Sequence, residues 1–188
     1  MELPKTYCEA VLMLEESNVH RNYHDTAYGF PIHNDAELFG RFVLEINQAG
    51  LSWTTILKKE ASFRKAYDDF NIQKIAAYQE EDRTRLLADA GIIRNRLKID
   101  AAIYNAKVVS RLQREFGSFE QWLDHHHPKS LPEWMKLFKG MFHFTGGEIV
   151  HEFLMSTGYL EGSHTTECRI YPAVLAANPA WNRKKSSQ

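Results

Sequence analysis

Asp89-Ala90-Gly91-Ile92-Ile93-Arg94-Asn95-Arg96-Leu97-Lys98 is the stretch that decides the fold. It separates a helical pattern ending near residue 90 from a longer one beginning near 95, so it reads as a tight turn centred on Gly91. Glycine lets the backbone approach a ligand closely and take a positive φ. The helix that follows opens with exposed N–H groups, a ready anion site, and Arg94, Arg96 and Lys98 concentrate positive charge beside it. Two readings stand open. One is a helix-hairpin-helix that grips a DNA backbone through main-chain amides without reading bases; the other is a plain corner between helices with a solvated basic face.

Outward from that turn the pattern stays helical, and the expected class is all-α. Asn34 caps a helix whose apolar stripe is Leu38, Phe39, Phe42, Val43, Ile46 and Ala49, with Glu37 completing a capping box and Gly50 as the stop. Shorter helices are expected over 52–59, 62–69, 72–78 and 80–90, and a long one over 95–115 ending at Gly117. Ser118 caps the next. Ser130 and Glu133 form a second capping box with Pro132 in its first turn, and a last helix over 147–157 stops at Gly158. The polar tail 183–188 is expected to fray.

With 188 residues the chain is expected to form a single domain over 1–182. Its 44% hydrophobic and 25% charged content excludes wholesale disorder. Apolar runs such as Ala10–Leu14 are far short of a bilayer span, and Met1-Glu2-Leu3-Pro4-Lys5 is not the start of a signal peptide. Two cysteines without such a signal point to the reducing cytoplasm. The net charge is −1, so bulk charge selects no polyanion and any nucleic-acid surface must be a local patch.

Glu45 falls three residues after Phe42 and seven after Leu38, at the border of the apolar stripe. A border glutamate is ordinarily a solvated charge. Gln48-Ala49-Gly50-Leu51-Ser52-Trp53 follows it, however, and Tyr23 and Tyr28 flank a further turn. A carboxylate beside aromatic rings suits a flipped, positively charged nucleobase, which needs stacking surfaces and a partner for its polar edge. The same aromatics would serve equally as plain core.

His164-Thr165-Thr166-Glu167-Cys168 sets imidazole and thiol at i and i+4, a spacing that suits a tetrahedral zinc. Cys8 and His24 could complete a Cys₂His₂ set joining the two ends of the chain, and four protein ligands would make such a zinc structural. An ordinary surface histidine and a buried free thiol are the alternative. An open three-ligand site would instead make the chain a metallohydrolase. His125-His126-His127 reads as surface, because adjacent side chains on a helix do not converge.

Taken together, these segments resemble the 3-methyladenine DNA glycosylase I family. The motifs are Tyr23-His24-Asp25 with Tyr28-Gly29, Glu45 ahead of Gln48 to Trp53, Ile56-Leu57-Lys58-Lys59, Asp89 to Arg94, and His164-x₃-Cys168. The likeness spans residues 20–115 and, more loosely, 140–168. It implies a helix-hairpin-helix glycosylase, with the hairpin around 80–115 and a structural zinc joining termini 1–30 and 160–182. It further implies that Glu45, Tyr23, Tyr28 and Trp53 form the base pocket, that Gly50 and Leu51 fill the gap left by the extruded base, and that Gly91 and Arg94 meet DNA. Cys8, His24, His164 and Cys168 would hold the zinc. The implied activity is excision of 3-methyladenine from alkylated double-stranded DNA by a cytoplasmic monomer, with no catalytic cofactor and no membrane partner. Ala10 and Gly146-Gly147-Glu148 depart from the family's Trp and Gly-Thr-Thr. A silent damage-binding paralogue and a glycosylase of altered base preference are therefore the alternative expectations.

Overall fold

The computed structural model describes residues 4–183, and all regular structure among them is helical. In chain order the helices are α1 (Tyr7–Leu12), α2 (Val19–Thr26), α3 (Asp35–Gln48), α4 (Trp53–Ala66), α5 (Ile72–Ala76), α6 (Glu80–Ala88), α7 (Arg96–Phe116), α8 (Phe119–His126), α9 (Leu131–Met141), α10 (Gly147–Ser156) and α11 (Tyr171–Ala176). Apart from Arg183, the polar tail expected at 183–188 lies outside the described residues. No described helix is long and apolar enough to cross a membrane.

The chain divides into two compact units. One takes the described residues up to Pro31 and those from Leu154 onward; the other runs from Ile32 to Phe153. The second unit is built on α3. Its stripe residues Leu38, Phe39, Phe42, Val43 and Ile46 are all buried. Phe42 is ringed by Phe153, Phe142, Phe138 and Phe119 at centroid distances of 5.0, 5.3, 5.7 and 6.5 Å, in tilted and edge-on geometries that suit aromatic quadrupoles. Asp35, in the first turn of α3, accepts from the Phe119 and Glu120 amides at 2.8 and 3.2 Å and from Gln113 at 2.7 Å. One carboxylate thereby caps α8 and fixes α7 to α3.

Several local expectations are corrected. Asn34 caps α3 as anticipated, accepting from Ala36 and Glu37 amides. Glu37, however, leaves the capping box for a bidentate pair with Arg64, both contacts 2.7 Å, because a guanidinium fork outcompetes a single backbone amide. The helices expected over 52–59 and 62–69 are one continuous α4, since nothing between them breaks the pattern and Ile56, Phe63 and Ala66 share its buried face. The chain turns afterwards, where Asp68, Asp69 and Phe70 all take left-handed φ. Helices α1, α2 and α11, of six, eight and six residues, lie outside the expected helices. Ser130 and Glu133 do form their capping box.

Gly40 lies inside α3, where glycine ordinarily costs about 1 kcal/mol relative to alanine. A Cβ there would lie 2.4 Å from the buried Phe70 ring. Overpacking a fixed ring costs about 1–3 kcal/mol, so the clash outweighs the gain in helix propensity. Gly40→Ala is expected to lower the urea midpoint with an unchanged m-value; a more stable variant would contradict this packing.

Candidate functional site

From Phe42 to Asn47 every residue of α3 is buried. Glu45 is therefore enclosed, with 4% of its surface exposed, although its wheel position alone suggests solvent. Neighbouring elements cover both flanks of the stripe, which a single-helix projection does not reveal. Asn47, also buried, turns its amide back to the Val43 carbonyl at 2.8 Å.

The turn after α3 projects outward. Gly50 takes φ +79° with open space where a Cβ would stand, so its backbone conformation alone calls for glycine. Leu51 leaves 39% of its side chain to solvent. Its amide donates to the Gln48 carbonyl at 2.7 Å, and the Gln48 amide group donates to the Leu51 carbonyl at 3.3 Å. Ser52 then caps α4, whose first residue is the half-buried Trp53.

The hairpin between α6 and α7 differs from expectation in two respects. Gly91 does not take a positive φ. Glycine is needed there for close approach: a Cβ would sit 2.9 Å from Asp89 Oδ1 and 3.0 Å from Ser62 Cβ. Lys59 donates to the Ala90 and Gly91 carbonyls at 2.8 and 3.1 Å, bracing the turn from α4. The expected basic cluster is also dispersed. Arg96 pairs with Glu80 at 3.2 Å and Asp100 at 3.8 Å. Lys98 points inward, leaving Arg94 as the exposed cation of the turn, with no ionic partner among the described residues. Leu97 stands beside it, 68% exposed.

Lys98 is 5% exposed, and its ammonium donates to the Asn47 and Ala49 carbonyls at 2.8 and 2.7 Å. Burial pushes its pKa down from the ordinary lysine range, while the carbonyl end of α3 favours the cation. Its ammonium also lies 5.8 Å from the Phe144 ring centroid. Phe144 holds φ +60°, rare for an aromatic residue. Buried Asn105 supports that conformation by accepting from the His143 amide at 2.8 Å and donating to the His143 carbonyl at 3.1 Å. Tyr104 stacks on the His143 ring at 3.5 Å. None of these contacts was anticipated. One signal was available: a lysine in the first turn of a helix opposes the macrodipole, so Lys98 needed another reason to be there.

In the other unit Tyr23 and Tyr28 are buried with ring centroids 5.5 Å apart. Their segment is the end of α2 and the two residues after it, where a bare turn was expected. Tyr7 meets Tyr28 edge-on at 5.4 Å.

Cys8, His24, His164 and Cys168 converge in this unit, all buried, with ligand atoms within 4.8 Å of one another. The Sγ–N separations are 3.7 Å for Cys8–His164, 3.4 Å for His164–Cys168 and 3.6 Å for Cys168–His24. Bond lengths of about 2.3 Å to sulfur and 2.0–2.1 Å to nitrogen place S and N donors of a tetrahedron about 3.6 Å apart. The geometry fits one tetrahedral ion. His164 Nε2 donates to the Tyr28 carbonyl at 2.8 Å, and His24 Nδ1 donates to Asp25 at 2.8 Å. Each imidazole thus turns its free lone pair towards the cluster. Asp25 is held in turn by Arg169. Burial pushes the Cys8 thiol up; a bound dication would reverse that.

The chain is similar in sequence and in fold to known proteins. The model of the Methyladenine glycosylase family matches residues 13–136. The chain is 36% identical over 171 residues to DNA-3-methyladenine glycosylase 1 of Escherichia coli (strain K12), covering 80% of this chain and 90% of the relative. A crystal structure of 3-methyladenine DNA glycosylase I superposes with TM-score 0.74 at 32% identity, covering 83% of this chain and 96% of the other. The Staphylococcus aureus enzyme, in a structure addressing 3-methyladenine recognition, gives TM-score 0.74 at 27% identity over 83% of this chain and 93% of that one.

Removing the Asn105 amide would break both of its bonds to the backbone of His143, an exposed residue, at about 0.5–1.5 kcal/mol for each bond. Asn105→Ala is expected to destabilise the protein in urea melts by that order and to speed exchange of the His143 amide. Wild-type protection of that amide would contradict the clamp.

Proposed function

The chain belongs to the methyladenine glycosylase family, and on that premise we propose that it excises 3-methyladenine from alkylated duplex DNA. The observation that carries the reading is Glu45: a carboxylate enclosed in the buried half of α3, next to a projecting turn. A buried carboxylate is costly to the fold, and reading a cationic base gives it a purpose. Trp53, Tyr23 and Tyr28 are assigned to stacking on the extruded base and Glu45 to its amino edge. Gly50 and Leu51 fill the gap left in the duplex, while the Gly91 turn and Arg94 meet the phosphate backbone.

Methylation at N3 leaves the base positively charged, so it is already a good leaving group and needs no strong general acid. Water forms a bond to C1′ and releases a proton; the C1′–N9 bond breaks and its electron pair neutralises the departing base. The side chains contribute by holding the extruded base in place and by a negative charge that favours the cationic lesion over ordinary adenine.

Zinc is the proposed ion at Cys8, His24, His164 and Cys168, supported by the mixed sulfur–nitrogen donor set and its tetrahedral spacing. Bound there it supplies a cross-link between distant parts of the chain and no open position for chemistry. The four residues hold it through Cys8 and His24 on the early helices and His164 and Cys168 on the late loop.

Chromatography of bases released from methylated DNA tests the activity. Free 3-methyladenine is the expected product, and absence of any released base would overturn the reading. Glu45→Gln keeps the shape but loses the charge, a change worth roughly 10- to 100-fold for a charged hydrogen bond. Its release rate should fall by that factor while duplex affinity persists; unchanged excision would remove Glu45 from the site.

Elemental analysis is expected to find one zinc per chain. Stripping it with a chelator should expose both thiols to titration and lower stability by roughly 3–5 kcal/mol, the scale of a cross-link closing a long loop. Thiols that react freely before chelation would contradict a four-ligand site.

A further inference from the structure

Lys98 is the buried cation of the second unit, and the proposed chemistry does not use it. Resting on the glycosylase reading, we infer that Lys98 is a positioning residue that latches the projecting Gly50–Leu51 turn to the DNA-gripping hairpin. Its backbone belongs to the hairpin exit: Lys98 is the third residue of α7, and its amide donates to the Asn95 cap at 3.2 Å. Its ammonium belongs to the far side, holding the Asn47 and Ala49 carbonyls. Asn47 lies two residues after Glu45, and Ala49 two residues before Leu51. One side chain thus fixes the short span that carries both the base-reading carboxylate and the wedge.

The span needs such an anchor. A Cβ at Gly50 would meet nothing and Leu51 is 39% exposed, so packing from outside holds the turn only in part. The ties between Gln48 and Leu51 are internal to it. A wedge must keep its shape while it displaces a base, because misplacement of about 1 Å can cost roughly 100-fold in rate. The Phe144 ring, held in a left-handed backbone conformation by Asn105, covers the ammonium and leaves a flexible lysine little room to swing. The latch joins backbone grip to base extrusion: an α7 seated on phosphate carries the wedge with it.

Lys98→Met, which keeps the stem and removes the charge, and Lys98→Arg, which keeps the charge, test this in the full-length protein. Four measurements apply: amide exchange of residues 50–52, affinity for undamaged duplex, affinity for free 3-methyladenine, and single-turnover base release from methylated duplex. For Lys98→Met, exchange at 50–52 should rise by about tenfold or more. Base release should fall by about 100-fold, with both affinities kept. Lys98→Arg should recover part of both losses. In a Leu51→Ala background, Lys98→Met should add little further loss, because the lysine acts through that turn.

Unchanged exchange in Lys98→Met overturns the latch, as does a loss of release that adds fully to that of Leu51→Ala. Should Lys98→Met fail to fold, Lys98→Gln, neutral and too short to hold both carbonyls, takes its place: faster exchange with slower release supports the latch, and wild-type values overturn it. If the wild-type protein releases no base at all, the glycosylase reading fails, while the exchange arm still decides whether Lys98 holds the turn.

Discussion

The enclosure of α3's C-terminal half constrains everything around it. Protein surrounds Phe42 through Asn47, and a helix end buried in that way must find partners for carbonyls that would otherwise face water. Asn47 answers locally, through Val43. The carbonyls of Asn47 and Ala49 are met by a lysine that arrives about fifty residues later in the chain. That requirement ties the start of α7, and so the hairpin before it, to the end of α3. The arrangement also explains why Phe144 accepts an unfavourable backbone conformation: it completes the cover over a buried cation.

Much of this fold can be read from the sequence where a helix carries a complete set of local signals. Asn34, Ser118 and Ser130 each start a helix where expected, and Gly117 ends α7. Those positions combine a cap with a strong apolar period, so local and global preferences agree. Agreement fails where tertiary partners intervene. Glu37 was expected to complete a local box but bonds Arg64 twenty-seven residues away. The short helices α1, α2 and α11, of six to eight residues, are below the length at which an isolated helix holds and depend on tertiary neighbours.

The candidate site is legible in its residues and illegible in its environment. His164 and Cys168 can be named from their spacing and donor chemistry, Cys8 and His24 with the help of the family resemblance, and the structure brings the four together. Glu45 could be named but not placed, because burial depends on what covers each side of the helix. Lys98 was misassigned outright. Three basic residues within five positions read as one patch, whereas Arg96 is neutralised by Glu80 and Asp100 and Lys98 faces the interior. Charge counts ignore direction, and here direction sends Lys98 to the Asn47 and Ala49 carbonyls.

That dispersal of charge bears on how such a protein would select damage. Phosphate contacts raise affinity for all DNA alike, and every additional one steepens salt dependence without adding discrimination. On the proposed function, a hairpin whose exposed cation is Arg94, on a chain of net charge −1, offers the duplex few phosphate contacts and so a weak general grip. The remaining binding energy must come from steps that differ between lesion and normal base. Extrusion costs least at a damaged or weakly paired site. A carboxylate held in low-dielectric surroundings then separates a cationic base from a neutral one more sharply than it could in water. Since a methylated, positively charged purine is primed to leave, selective capture supplies most of the catalysis the reaction needs. On the function proposed here, a weak general grip and an enclosed Glu45 are two halves of one specificity device: strengthening the first would dilute the second.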